Sequence, residues 1–458
     1  MSIQNAQRTT VKTLRLKRAM NVPTLVMFGL AYMVPLTIFS TYGLVGDMTG
    51  GRLPLAYVIT TLAMAFTAIS YASIVKKIPT AGSAYGYSRK AFGTGVGFIT
   101  GWGLMVDYLL LPMVNYMFFS LYFHEQFPAV PAWLVTVIAI SLVTTLNVIG
   151  IKVVKNANVL LVAFQLIFVV LFIVFACANF SPDASAGAPF SFAGGIGPVV
   201  AGASILALSF LGFDAVSTLA EEAKAPTKSG PRAILLTVII GGLMFLVVAW
   251  VGYMAFPDFG AFKSLDTAPL ELMGHLGGAG LKAFFLAAYM IGCLASALSA
   301  QTSTSRVLFS MGRDRLLPSG FFGKLNARFR TPVNAILVIA VVSLLAIWLD
   351  INVVVEVVSF GALAAFSMVN LAVIKFFLID EKRRGLAAIV KYAVLPVIGF
   401  GLTVWLWFSL SGLALSVGLI WVALGLIYLA VISKGFRKMP KGDIDDPGTV
   451  SIPQVAKD

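Results

Sequence analysis

The chain of 458 residues is 59% apolar and only 11% charged, against about 25% charged residues in an ordinary soluble domain. Apolar stretches of roughly 20 residues, each long enough to cross a bilayer core of about 30 Å, recur from end to end and define a polytopic membrane protein. A net charge of +14 would ordinarily suggest nucleic acid, but the placement of the charges excludes it, and two cysteines and two far-separated histidines leave no disulfide framework or metal site.

Residues 1–20 are polar and basic and lack the small-residue cleavage site of a removed signal peptide, so the first span is expected to remain in the mature protein. Spans are predicted at 21–46, 53–75, 94–123, 131–149, 156–178, 197–222, 231–256, 280–312, 332–349, 353–379, 388–410 and 413–433. Continuous apolar runs without barrel-like alternation select helices, because only helices and closed barrels satisfy their backbone in lipid. With residues 1–20 inside, only Arg52, Lys263 and Lys282 of the 33 Lys and Arg fall on the outer side. That asymmetry follows the positive-inside rule, assigns both termini to the cytoplasm, and makes the high charge a report of topology. Arg306 and Lys375 fall in the inner ends of their spans, where long stems are expected to snorkel. Residues 434–458 form a polar tail.

Two spans are interrupted. The first reads Tyr32-Met33-Val34-Pro35-Leu36 at mid-depth, where Pro35 removes a backbone donor and disfavours helix at Val34. The sixth reads Ser209-Phe210-Leu211-Gly212-Phe213-Asp214 at similar depth. These are the first spans of two successive five-span units, residues 21–178 and 197–379, with 388–433 outside both. Matched interruptions in corresponding halves are a signature of inverted-repeat transporters, in which unwound backbone lines a midplane site.

Asp107, Asp214 and Glu356 are the acids that lie within spans rather than at their ends. A carboxylate at such depth is costly unless paired or hydrated, so each is a candidate functional group. No Lys or Arg is expected at comparable depth, and the missing countercharge is a cationic ligand, a sodium ion or a proton. Ser217, Thr218 and Glu221 share the face of Asp214 by 3–4 spacing. Glu221 and Glu222, at the cytoplasmic end near many bases, suit a gate or ion pairs. Ser296, Ser299 and Ser303 form a small polar stripe on the eighth span that suits helix packing, a sodium site or a substrate contact. Tyr32, Trp102, Tyr108, Tyr116, Phe210 and Phe213 are candidates to box an amine by cation–π contact. No phosphate loop, nucleophile triad or channel filter motif is present, so no enzyme is expected and a channel is disfavoured.

Long segments carry a resemblance: MFGLAYMVPLTIFSTYG at 27–43, PTAGSAYGYSRKAF at 79–92, GWGLMVDYLLLPMVN at 101–115, SFLGFDAVSTLAEEAKAP at 209–226, FPDFGAFKSLDTAPLEL at 256–272, STSRVLFSMGRDRLLPSGFFG at 303–323 and VSFGALAAF at 358–366. In these the chain resembles the amino acid–polyamine–organocation superfamily, and most closely its bacterial putrescine importers. The resemblance implies an all-α fold of 12 transmembrane helices, a 5+5 inverted repeat with interrupted helices 1 and 6 plus two peripheral helices. It also implies alternating access around a site between spans 1, 3, 6, 8 and 10, in a bacterial inner membrane. The family's aspartate–tyrosine pair of span 3 falls on Asp107-Tyr108, and its GFD element on Gly212-Phe213-Asp214.

Departures from the family pattern bear on the substrate. Amino-acid members carry a glycine-rich break in span 1 whose bare amides hold a carboxylate, whereas here the break is glycine-poor and Pro35 removes a donor. The lysine that some proton-coupled members carry in span 5 corresponds to Gln165, which cannot titrate. Glu356 stands where an uncharged residue is expected. The expected function is therefore secondary-active import of putrescine or a related cationic amine, proton-coupled or, alternatively, sodium-coupled. An amino-acid permease of the same fold is the alternative. Tyr32, Asp107, Tyr108, Ser209, Phe210, Phe213, Asp214 and Glu356 are the expected substrate residues, completed by backbone carbonyls freed at the breaks. Pro35, Gly212, Glu221, Glu222, Ser299 and Ser303 are the expected gating or coupling residues. No cofactor and no nucleic-acid partner is expected.

Overall fold

A computed structural model describes residues 16–265, 267–408 and 410–438, apart from the side chains of Asn352 and Glu356. Among these residues the elements are helical, and the only strand-like feature is an isolated bridge between Met20 and Ala223. Among the described residues, eleven helices are long and apolar enough to cross a membrane, and a shorter one, Val333–Ile347, fills the ninth predicted position. The protein is an all-α polytopic membrane protein.

The first span is split into α1 (Val22–Met33) and α2 (Tyr42–Met48), joined through a 3-10 turn at Thr37–Ser40. There follow α3 (Leu53–Val75), a short connecting α4 (Ser83–Phe92), α5 (Thr94–Gln126), α6 (Ala132–Ile149) and α7 (Ile151–Ala178). The second unit opens with α8 (Gly197–Leu206), which passes through 3-10 turns at Ala207–Phe210 and Asp214–Glu222 before α9 (Pro226–Ala255). Then come α10 (Ala268–Arg313), a single-turn α11 (Ser319–Phe322), α12 (Val333–Ser343) and α13 (Ile351–Ile374). The last spans are α14 (Leu386–Ile389) joined by a π turn to α15 (Leu395–Trp407), and α16 (Gly412–Ile432).

The packing displays the inverted repeat. α1 lies against α9 as α8 lies against α3, and α5 against α13 as α10 against α7. Each contact recurs with first-unit and second-unit helices exchanged, while the equivalent pairs α3–α9 and α5–α10 meet directly. α15 and α16 flank this core on α13. Only 17% of the apolar window of Gly412–Ile432 is buried, against 67% for that of Thr94–Gln126, so α16 is peripheral and presents apolar side chains outward.

Helix ends differ from the predicted span ends where polar residues extend a helix beyond its apolar run. α7 begins at Ile151 rather than 156 and carries Lys152 and Lys155, and α9 begins at Pro226 rather than 231 and carries Lys228. Hydropathy marks where the apolar run begins, whereas backbone hydrogen bonding continues into the polar turn. The eighth span has a different correction: a short helical segment from Ala268 precedes it and meets it at a break at Gly277–Gly278.

Candidate functional site

α1 starts on a capping box, in which Asn21 and Thr24 each accept the other's backbone N–H at 3.1 and 2.9 Å. It stops at Val34, whose φ of 56° is outside the helical region. Pro35 gives the local cause, since it disfavours helix at the preceding residue and has no N–H for the carbonyl four residues back. The Thr37 hydroxyl donates to the Met33 and Val34 carbonyls, both at 2.7 Å, and the Ser296 hydroxyl donates to the Tyr32 carbonyl at 2.8 Å. Three carbonyls at this break, those of Tyr32, Met33 and Val34, thus already accept a side-chain hydrogen bond.

The sixth span breaks at Leu211–Gly212, where Leu211 is extended and Gly212 has φ of 109°. Gly212 packs directly on the Tyr32 ring, and a Cβ there would come within 2.0 Å of it. Beyond the break the chain runs as a nine-residue 3-10 helix, Asp214–Glu222. Runs of 3-10 helix longer than three or four residues are uncommon and mark hinges or strain. The two interruptions are therefore in contact, with Tyr32 of one against Gly212 of the other.

Asp107 and Tyr108 lie mid-way along α5, and both are buried. Pro112, four residues on, leaves the Tyr108 carbonyl without its helical donor. The Thr304 hydroxyl of α10 donates to that carbonyl at 2.6 Å. The Tyr108 hydroxyl donates to Asp214 Oδ2 at 2.7 Å, joining α5 to the break of the sixth span. Asp107 is packed against Gly361 of α13, where any Cβ would fall 2.5 Å from the Asp107 backbone nitrogen. Neither Asp107 carboxylate oxygen has a protein hydrogen-bond donor, and the Tyr32 hydroxyl is likewise unpartnered. Tyr108, the residue after Asp107, reaches Asp214 with its hydroxyl, so one tyrosine links the two acids, and the Tyr32 ring packs on Gly212 two residues before Asp214. Among the described residues, neither aspartate has an ion-pair partner.

Aromatic rings cluster at Tyr108 and Phe213, the sequence neighbours of the two acids. Tyr32 and Tyr108 stand with ring centroids 6.0 Å apart, and Phe213 packs edge-on against Tyr71 at 5.8 Å and tilted on Phe366 at 5.2 Å. Next to the cluster is a cavity of about 270 Å³, lined among others by Tyr32, Ser40, Asn115, Ser209, Tyr289 and Ser296. That volume is near the lower end of small-molecule sites, roughly 300–1,000 Å³. The acids do not form its wall. Tyr32 does, and its ring also packs on Gly212 at the second break. Polar bridges cross the cavity wall: Ser40 to Tyr289 at 2.9 Å and Asn115 to Ser296 at 3.0 Å.

The remaining expected residues fall in different places. Ser209 is on the cavity wall, but Phe210 turns away and packs edge-on against Phe245 of α9 at 5.5 Å. Trp102 stacks on Trp421 at 5.0 Å, and the two indoles donate to each other's carbonyls, so Trp102 anchors α16 and takes no part in the site. Ser299 accepts a 2.8 Å hydrogen bond from Asn158, and Ser303 is buried with its hydroxyl unpartnered. Gln165 is buried against Gly292 of α10. Glu356 lies on α13, and its side chain is outside the described residues.

At the end of the bundle that carries the basic loops, charges close the interior. Glu221 pairs with Arg313 at 3.1 Å and accepts the Ala81 N–H at 2.9 Å, while Arg89 and the Tyr85 hydroxyl both engage Asp314. Glu222 pairs with Arg306 at 2.8 Å, both side chains being 1% exposed. Arg306 therefore does not snorkel. Its position continues the stripe Ser296, Ser299, Ser303, which points into the bundle, and that spacing was the available signal. The Glu222 carbonyl also accepts the N–H groups of Ala19 and Met20, and Lys224 donates back to Met20, so the chain before α1 is laid across the end of the sixth span.

A membrane helix bundle with two broken helices meeting at buried acids defines a transporter of small solutes. The amino acid permease family model matches residues 24–442, and the chain belongs to that family. The low-affinity putrescine importer PlaP of Escherichia coli strain K12 is 38% identical over 430 residues, covering 92% of this chain and 95% of the relative. The methylthioribose transporter of Bacillus subtilis strain 168 is 27% identical, covering 92% of this chain and 95% of its own. The branched-chain amino acid permease BcaP of the same strain is 27% identical over 96% of this chain and 98% of its own.

Proposed function

We propose that the protein is a secondary-active importer of putrescine or a related cationic amine. The observation that carries this reading is that Asp107 and Asp214, linked through Tyr108, are both buried and without any basic partner among the described residues. A carboxylate in such a place is stabilised by an opposite charge, and amines with pKa near 10 supply it at neutral pH. Asp214, already oriented by Tyr108, receives one ammonium group, and Asp107 the other. The likeness to a putrescine importer over nearly the full chain supports the same assignment.

The cycle is alternating access. The cavity beside Tyr32 and the ion-paired closure at the basic end suit a state open away from the basic face. By the positive-inside rule that face is cytoplasmic, with both chain termini on it and the protein in the bacterial inner membrane. Movement of the segments around Val34 and Gly212 withdraws Tyr32 and admits the amine to the acids. Inward movement of a dication is favoured by the membrane potential, about 2.3 kcal/mol per charge per 100 mV, and a proton is the coupling ion.

The test is uptake of labelled putrescine into proteoliposomes of the purified protein under imposed proton or sodium gradients. The expected result is accumulation driven by an inward proton gradient, indifferent to sodium, and inhibited by cadaverine but not by neutral amino acids. Inhibition by amino acids alone would replace this reading with an amino-acid permease.

A further inference from the structure

The turn between α13 and α14 carries a basic pocket of about 430 Å³, lined by Arg383, Arg384, Ala387, Ala388, Lys391 and Tyr392. Its floor is rigid. Phe377 and Tyr392 stack with ring centroids 4.2 Å apart, and the Arg383 guanidinium lies 5.3 and 5.6 Å from the two ring centroids. The acids of this turn are already engaged: Glu381 pairs with Arg383 at 2.7 Å and with Lys77 at 3.3 Å, and Asp380 pairs with Lys375 at 2.8 Å. Lys382, Arg384 and Lys391 are exposed and have no ion-pair partner among the described residues. The pocket thus presents positive charge without an ion-pair partner among the described residues.

Its surroundings are apolar. Leu386 is 80% exposed and Ile379 61% exposed, with Ile389, Val390 and Val394 also outward on the same turn and helix. A pocket for a soluble anion gains nothing from such a rim, whereas a bound amphiphile covers it. Unmatched lysines and arginines at the membrane end of helices, beside outward apolar side chains, suit an anionic head group with its acyl chains along the helices.

We infer that this pocket binds the phosphate of an anionic phospholipid, with Arg384 and Lys391 as the charged contacts and Leu386 and Ile389 under the acyl chains. Its location on the basic face places it at the leaflet surface. The site is distant from the acid pair and does not depend on which solute is carried.

The test measures binding of a fluorescent phosphatidylglycerol to the full-length protein in neutral detergent, with fluorescent phosphatidylcholine as the reference lipid. The expected result is a clear preference for phosphatidylglycerol, lost by roughly 30-fold in Arg384→Gln/Lys391→Gln, at about fivefold per basic residue removed. Both side chains are exposed, so the double variant retains the fold, which thermal unfolding checks. Lys324→Gln/Arg328→Gln, removing charge elsewhere on the same face, is expected to lose less than about twofold. Equal binding of the two lipids, or equal losses in both double variants, would overturn the site. Displacement of the lipid by millimolar inorganic phosphate would overturn the lipid assignment in favour of a soluble anion.

Discussion

The Tyr108 hydroxyl donates to Asp214 across 106 residues of sequence, at 2.7 Å and out of contact with solvent. This bond ties the rigid centre of α5 to the break of the sixth span. It orients one carboxylate while Asp107, the neighbouring residue, presents two oxygens without donors. The two acids are thus inequivalent: Asp214 is fixed in place and Asp107 awaits a partner.

Tyr108→Phe removes a hydrogen bond to a charged group, for which about 1.5–3 kcal/mol is typical. Putrescine affinity is expected to fall by roughly 10- to 150-fold. In a double-mutant cycle with Asp214→Asn the two losses should be strongly non-additive, measured by equilibrium competition with labelled putrescine. Additive losses would separate Tyr108 from Asp214 functionally.

Asp107→Asn is nearly isosteric, and neither of its oxygens holds another part of the protein. Thermal stability should change little. The variant should lose its preference for diamines, so that butylamine competes about as well as putrescine. An unchanged diamine-to-monoamine ratio would remove Asp107 from the site.

Gly212→Ala meets two obstacles, a φ of 109° and the Tyr32 ring 2.0 Å from the new Cβ. Backbone strain of this kind costs on the order of 1–3 kcal/mol before the ring is displaced. A lowered Tm and loss of uptake are expected, with Gly212→Ala/Tyr32→Ala recovering part of the stability because the ring clash is gone.

The Arg306–Glu222 pair is fully buried. Glu222→Gln leaves a buried guanidinium unmatched and should destabilise the protein by about 3–5 kcal/mol. Arg306→Met/Glu222→Met removes both charges and should be markedly more stable than Glu222→Gln in denaturation. If the double variant is the less stable of the two, the pair is not acting as a compensated unit.

Local chemistry explains which of these features the sequence makes visible. Pro35 and Gly212 report their own interruptions because their backbone effects act on neighbouring residues. Asp107 and Asp214 stand out because a carboxylate in an apolar run is anomalous in any fold. The packing around the breaks is not readable in this way: Ser296 reaches the Tyr32 carbonyl across 264 residues and Ser40 meets Tyr289 across 249. Such partners depend on how helices pack, which hydropathy does not encode. The same limit explains Phe210 and Trp102, whose aromatic character fitted a cage but whose rings face α9 and α16. Arg306 departs from the snorkelling expectation because its helix face points into the bundle, where Glu222 pairs with it.

The central claim is that a buried acid pair recognises a cationic amine. Equilibrium binding of radiolabelled putrescine to purified wild-type protein and to Asp214→Asn tests it most directly. Wild type should bind saturably without displacement by leucine, and Asp214→Asn should bind roughly 10²- to 10³-fold more weakly, as loss of a buried charge partner requires. Wild-type affinity in Asp214→Asn, or binding of leucine in place of putrescine, would contradict it.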